Sequence, residues 1–234
     1  VELILDAEGK ATRLSLDVEV YDINLAPRSG LPVTHWFYSD ALLDWYKLDG
    51  FEERYWGIVA EYMRNLLEHG NDVLYVPLFS PTTDGDRRPS QLLCVSETFD
   101  WTMVTRYIEL ARSIGFSKFE WPHLFSQWGA SRAIRVYDGQ GRDEKLLWSD
   151  DTPATSDRYR TFLSRFLPEF KSFLDKNGIL EGSFFHVSDE PSGDEDRRNY
   201  TASRAMLQQL APWMKTMDAV SELGYGKDQL TDIP

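Results

Sequence analysis

The sequence is short of cysteine, of cations and of long apolar runs. Its single cysteine, Cys94, has no intrachain partner, so no disulfide framework organises the fold and cysteine usage leaves the compartment open. Lys and Arg number 25 against 38 Asp and Glu, a net charge of -13, and no basic stripe interrupts this excess. A phosphate backbone needs such a stripe, which excludes nucleic acid as a partner. No stretch approaches the roughly 18 apolar residues of a membrane span. The opening VELILDAEGK is acidic where a secretory signal carries positive charge. A secreted, periplasmic or cytoplasmic location therefore all remain open. HxH, HxxxH and CxxC spacings are missing as well, so no metal and no cofactor are expected.

What is abundant is apolar and aromatic. With 234 residues, 42% hydrophobic and 14% aromatic, the chain can bury a sizeable core. Eight Trp, eleven Tyr and thirteen Phe can fill that core, and they also supply the flat walls on which sugar rings stack.

Hydrophobic periodicity changes once along the chain. Leu14 to Leu25 alternates with period two after a turn at AEGK, which predicts a hairpin. Pro27, Ser29, Gly30 and Pro32 then read as a linker. Beyond it, strands are predicted at Thr34–Phe37, Val73–Phe79, Ser117–Leu124, Ser183–Val187 and Met217–Ser221. Between them Glu52–Glu68, Trp101–Ile114, Ser156–Lys176 and Asp194–Met214 carry helical spacing, with Gly70, Gly115 and Gly178 placed as helix stops. Residues 1–29 are thus expected to end a β-rich domain, and 30–234 to form an α/β domain of repeated strand, loop and helix.

A doubly wound sheet and a (β/α)8 barrel both produce that repeat. The strand-to-helix loops are long and rich in polar and aromatic groups, whereas the return turns are short, and barrel enzymes concentrate function on that one rim. The expectation is a (β/α)8 TIM-barrel type fold of which this chain holds about five βα units, a fragment of a larger protein. The rim then collects His35, Trp36, Tyr38 and Asp40 after the first strand, Pro77 and Phe79 at the end of the second, and His123, Gln127 and Trp128 after the third. His186, Asp189 and Glu190 follow the fourth strand, with Glu222 and Tyr225 after the fifth. Each alone is more often explained by packing or capping; three of the four histidines at strand C-termini shift the balance modestly towards a shared site.

Asp189 and Glu190 stand side by side where the strand SFFHV ends, and Pro191 follows. Capping of the next helix is one role for them. Ser192 and Asp194 are nearer caps, however, so the pair is left for another task. Metal ligation with His186 is a second option, without the spacing that would accompany it. Catalysis is the third. Adjacent carboxylates push each other's pKa apart, and Pro191 ends the ladder so that both can face the rim. Two-carboxylate glycosidases usually draw the pair from different strands, about 5 Å apart when they retain configuration. Contiguous residues suit substrate assistance instead: the sugar's 2-acetamido oxygen attacks the anomeric carbon, Glu190 protonates the leaving oxygen, and Asp189 orients the acetamido N–H.

The blocks THWFYSDALLDWY, VPLFSPTTDG, FEWPHLFSQWGA and FFHVSDEP, in this order, resemble the catalytic domain of glycoside hydrolase family 123, the β-N-acetylgalactosaminidase-like proteins of bacteria. The resemblance runs from about Gly30 to Tyr225. It implies a (β/α)8 barrel beside a β-sandwich, an oxazoline intermediate, and Asp189 and Glu190 in the positions of the catalytic pair. The implied partner is an N-acetylhexosamine-terminated glycan, with His35, Trp36, Tyr38, Asp40, His123, Gln127, Trp128, His186 and Tyr225 as substrate-binding candidates. A non-catalytic glycan-binding barrel that keeps the aromatic rim is the alternative.

Overall fold

A computed structural model describes residues 2–24, 31–80, 90–139 and 144–233. They group into two compact units, Val1–Leu31 and Pro32–Pro234. The first unit is a hairpin of β1 (Glu2–Ala7) and β2 (Lys10–Ser15) around Glu8 and Gly9. Both turn residues have left-handed backbones, φ 53° and 75°, as a two-residue hairpin turn requires. The strand expected over Leu14–Leu25 ends at Ser15. Glu2↔Ser15 is the last register pair, and no strand among the described residues pairs with residues 16–24. Leu25 and the linker residues Pro27, Ser29 and Gly30 lie outside the described residues.

The second unit opens with β3 (Thr34–His35), α1 (Ser39–Trp45), α2 (Glu53–Glu68) and β4 (Val73–Tyr75). A short hairpin, β5 (Cys94–Val95) and β6 (Phe99–Asp100), leads into α3 (Thr102–Ile114) and β7 (Lys118–His123). A second hairpin, β8 (Tyr137–Asp138) and β9 (Lys145–Leu146), precedes α4 (Asp157–Asn177). The chain continues through β10 (Ser183–His186), α5 (Gly193–Leu210) and α6 (Leu223–Lys227). No helix among the described residues is long and apolar enough to cross a membrane.

Strands β3, β4, β7 and β10 form one parallel sheet whose spatial order is their chain order. Doubly wound sheets reverse order at a switch point, and this one does not. Among the described residues the sheet stays open, and no closed barrel forms. The expected fifth strand, Met217–Ser221, is reduced to isolated parallel bridges, Phe185↔Thr216 and Met217↔Ile233. The reason is a substituted ladder: the N–H groups of Val187 and Ser188 donate to the side-chain carboxylate of Asp218 rather than to backbone carbonyls.

Helix α4 supplies much of the core because its aromatic residues recur every three or four positions. Phe162, Phe166, Phe170 and Phe173 are buried on one face, and Trp101 stacks on the last of them at 4.6 Å between centroids. Ser156 caps its start and Gly178, at φ 63°, its end. Inside β7, Pro122 has no N–H to give, and the register with β10 slips there, from Phe184↔Glu120 to His186↔His123. Regular alternation would place Glu120 and His123 on opposite faces. The bulge returns both to one face while Phe119 and Trp121 stay in the core.

Gly182 closes the turn before β10, and a Cβ there would sit 2.6 Å from the backbone oxygen of Ser117. Gly57, exposed within α2, faces open space. Gly182→Ala should therefore cost about 1–3 kcal/mol as overpacking against rigid backbone. Gly57→Ala should add about 0.5–1 kcal/mol through helix propensity. Urea denaturation midpoints moving in opposite directions are the expected outcome; a neutral Gly182→Ala would contradict the close approach.

Candidate active site

The C-terminal ends of β3, β7 and β10 and the segment after α5 enclose an open cleft of about 490 Å³. It is lined by Thr34, His35, Trp36, Glu120, His123, His186, Asp189, Met217, Asp218 and Ala219. Glu120 lies at its base and is 1% exposed. Its carboxylate accepts Thr34 Oγ1–H at 2.5 Å, Trp36 Nε1–H at 2.6 Å and His186 Nε2–H at 2.7 Å. Donors from β3 and from Trp36 just after it thus reach a carboxylate on β7 across the intervening β4. Burial opposes the charge on Glu120, but the His186, Thr34 and Trp36 contacts outweigh it and hold the carboxyl below its usual range.

His186 stands between two carboxylates. Its Nδ1 lies 3.3 Å from Asp218 Oδ1, an ion-pair distance without hydrogen-bond alignment. Burial disfavours the imidazolium, yet Asp218 and Glu120 more than offset this and push His186 up to about 9. Asp218 also accepts the Tyr200 hydroxyl at 2.5 Å and the Val187 amide at 3.0 Å. For Asp218 burial wins, and its carboxyl is raised despite these donors. His123 faces His186 at 4.8 Å between ring centroids, and burial together with the charge on His186 keeps it well below its ordinary value, hence neutral. His123, His186 and Asp218 bring possible ligand atoms within 4.8 Å of one another. Within that group the Nε2 of His186 is already committed to Glu120 at 2.7 Å, which leaves Nδ1 as its ligand atom.

Asp189 is half-buried at the cleft wall, its Oδ2 accepting from Gln127 Nε2 at 3.1 Å and its backbone oxygen from Trp128 N–H at 2.9 Å. Partial burial, then the charge of Glu190, raise its carboxyl above the usual range, while Gln127 and His186 pull the other way. Glu190 is exposed and is held with φ 43°, its N–H donating to Ala219 at 3.0 Å. A left-handed backbone at a charged residue is strained, and such strain gathers at functional sites. The loop opposite is strained too: Trp128, Gly129 and Ala130 all have positive φ, and a Cβ on Gly129 would sit 2.3 Å from Asp196. This turn leaves Trp128 half-exposed beside a second cavity of about 140 Å³, shared with Gln127, Arg132, Arg135 and Asp150.

Of the residues expected at the rim, His35, Trp36, His123, His186 and Asp189 line the cleft, and Gln127 positions Asp189. Glu190 and Trp128 flank it in sequence without lining it. Tyr38 packs its edge on Tyr75 at 5.2 Å, and Asp40 is buried in the first turn of α1, so neither reaches the cleft. Tyr225 is a correction. It is fully buried in α6 against Tyr200, under the guanidinium of Arg197, because the fifth strand gives way to a short helix that turns inward. Phe79 is likewise core, and Glu222 accepts the Gly193 N–H. Glu120, Asp218 and Thr34 escaped the sequence reading. The signal available was a lone carboxylate inside each apolar run, FEWPH and TMDAV.

Comparison with known proteins adds an independent line. No curated protein matches the chain. Among solved structures it is similar to a family 123 glycoside hydrolase from Clostridium perfringens, described for glycolipid glycan hydrolysis. The TM-score is 0.61 and the identity 16%, over 84% of this chain and 36% of that one. The chain therefore spans little more than a third of that neighbour, and the likeness speaks for a shared fold. A family model described as the catalytic domain of glycoside hydrolase 123 matches residues 36–234, the stretch that carries every cleft residue except Thr34 and His35. Covering most of the sequence, that match establishes that the chain belongs to glycoside hydrolase family 123.

Proposed function

We propose that this chain carries the catalytic face of a retaining exo-glycoside hydrolase that removes terminal N-acetylgalactosamine, or another N-acetylhexosamine, from glycans or glycolipids. The carrying observation is the contrast between two adjacent carboxylates: Asp189 half-buried and held by Gln127 in an aromatic-walled cleft, Glu190 exposed on a strained backbone. In this reading the 2-acetamido oxygen of the substrate attacks the anomeric carbon as the bond to the leaving oxygen breaks. Glu190 gives its proton to that oxygen, and Asp189 accepts a hydrogen bond from the acetamido N–H. Water then opens the oxazoline, losing its proton to Glu190. Trp36, fixed by its bond to Glu120, and the neutral His123 supply a stacking wall and a hydrogen-bonding ring. The unreversed strand order supports the reading of the parallel sheet as part of a (β/α)8 barrel.

A screen of nitrophenyl N-acetylhexosaminides tests the function directly. Turnover that depends on Glu190 supports it, whereas binding without turnover favours a glycan-binding protein. Glu190→Gln should lower kcat by roughly 10²- to 10⁴-fold on alkyl or sugar leaving groups and much less on activated aryl ones, which need little protonation. Equal losses on both would sink the assignment of the acid.

The pH profile tests the other carboxylate. Asp189 must be ionised to accept from the acetamido group, and its pKa is raised above 3.8, so activity should fall with decreasing pH earlier than an ordinary aspartate would dictate. The expected profile of kcat/KM has its acidic limb above that value, and Asp189→Asn should lose this limb. A wild-type limb at or below the ordinary aspartate range would contradict the role.

A further inference from the structure

Asp189 occupies an unfavourable place for a carboxylate. It is partly out of water, Glu190 follows it in the chain, and the protein as a whole carries a net charge of -13. Four groups act on it from the elements around it. Glu190 from its own segment and Asp218 from the segment after α5 both disfavour its charge; Gln127 from the loop after β7 and His186 from β10 favour it. His186 is the cation in that set, and the protein invests three strands in keeping it so. Glu120 on β7 takes its Nε2, Asp218 sits on its Nδ1 side, and Thr34 from β3 and Trp36 just after it fill the remaining capacity of Glu120. Tyr200 from α5 and two backbone N–H groups do the same for Asp218. His123, the other titratable group against the ring, is neutral and adds no charge.

An ionised carboxylate accepts and does not donate, so the Nε2 hydrogen-bonded to Glu120 carries a proton, and the nearby Asp218 charge favours a second proton on Nδ1. A neutral ring would set a lone pair against an oxygen 2.7 Å or 3.3 Å away. We propose that Glu120, His186 and Asp218 are positioning residues that lock a positive charge behind Asp189 and so hold its carboxylate in the ionised, hydrogen-bond-accepting form. The same set fixes place as well as charge, because Asp218 holds the amides of Val187 and Ser188, the two residues immediately before Asp189. Ser188 Oγ–H in turn donates to Ser126 at 2.7 Å, tying this strand end to the loop that carries Gln127. The functional weight of the inference rests on the role given to Asp189 above, while the electrostatic linkage stands on the buried geometry.

The linkage predicts effects of opposite sign from neighbouring substitutions. Removing the cation with His186→Gln should raise the titration of Asp189 by about one pH unit or more, the scale for losing an opposite charge nearby. Removing a facing negative charge with Asp218→Asn should lower it, since His186 stays charged throughout the acidic range in which Asp189 titrates. The measurement is NMR titration of the folded chain labelled at aspartate carboxyl carbons, with Asp189→Asn identifying the signal. Opposite shifts support the proposal. Shifts of the same sign, or none in His186→Gln, overturn it and leave the network a packing feature. If His186→Gln does not fold, the Asp218→Asn titration decides alone: only a downward shift is compatible. In active protein the acidic limb of kcat/KM should move in the same directions. A wild-type chain inactive on every N-acetylhexosaminide defeats the proposed function and still yields the titration result.

Discussion

A carboxylate in the middle of a parallel sheet is among the costliest groups a fold can bury, and Glu120 is 1% exposed. It is tolerable because three donors converge on it, one of them a cation, and those donors come from β3 with Trp36 just after it and from β10, the two edges of the sheet. Satisfying one charge therefore draws both edges towards a common point on the cleft side. The same contacts orient Trp36 and His186, which form the wall and base of the cleft. Loss of His186, the charged partner, would leave an uncompensated buried charge, which typically costs about 3–5 kcal/mol. Stability and site geometry are thus two consequences of one network.

The chemistry of the cleft follows from how charge is distributed around that network. His186 is charged because it is flanked by carboxylates, and His123 is kept neutral by its burial and, after that, by the charge on His186. The bulge at Pro122 is what lets the two rings face each other at all. Asp189 is poised between burial and Glu190 on one side and Gln127 and His186 on the other. Glu190, by contrast, is exposed to solvent.

Much of the α/β unit was legible because its signals are local. Four helices and four strands lie within a few residues of their predicted positions, since the aromatic spacing of α4, the left-handed Gly178 and the runs ending in His123 and His186 depend on neighbours in sequence. The failures have a common cause in tertiary context. Residues 16–24 alternate correctly, yet no strand among the described residues pairs with them; Met217–Ser221 reads as a strand, but Asp218 takes over the ladder with its side chain. Helix α1 and the two short hairpins sit inside segments that read as loops. Asp189, His123 and His186, read from their places at strand ends, lie together at the cleft. Tyr225 was misplaced because burial in a short helix leaves no periodic trace, and Glu120 and Asp218 were missed because a single carboxylate in an apolar run gives no hint of its partners.

The central claim is that the Asp189–Glu190 pair works with the substrate's own acetamido group and not through an enzymic nucleophile. Mass spectrometry of the protein, quenched during incubation with a slow N-acetylhexosaminide, tests this most directly. The account predicts unmodified protein together with free sugar of retained configuration. A glycosyl adduct on Asp189 or on any other carboxylate would contradict it.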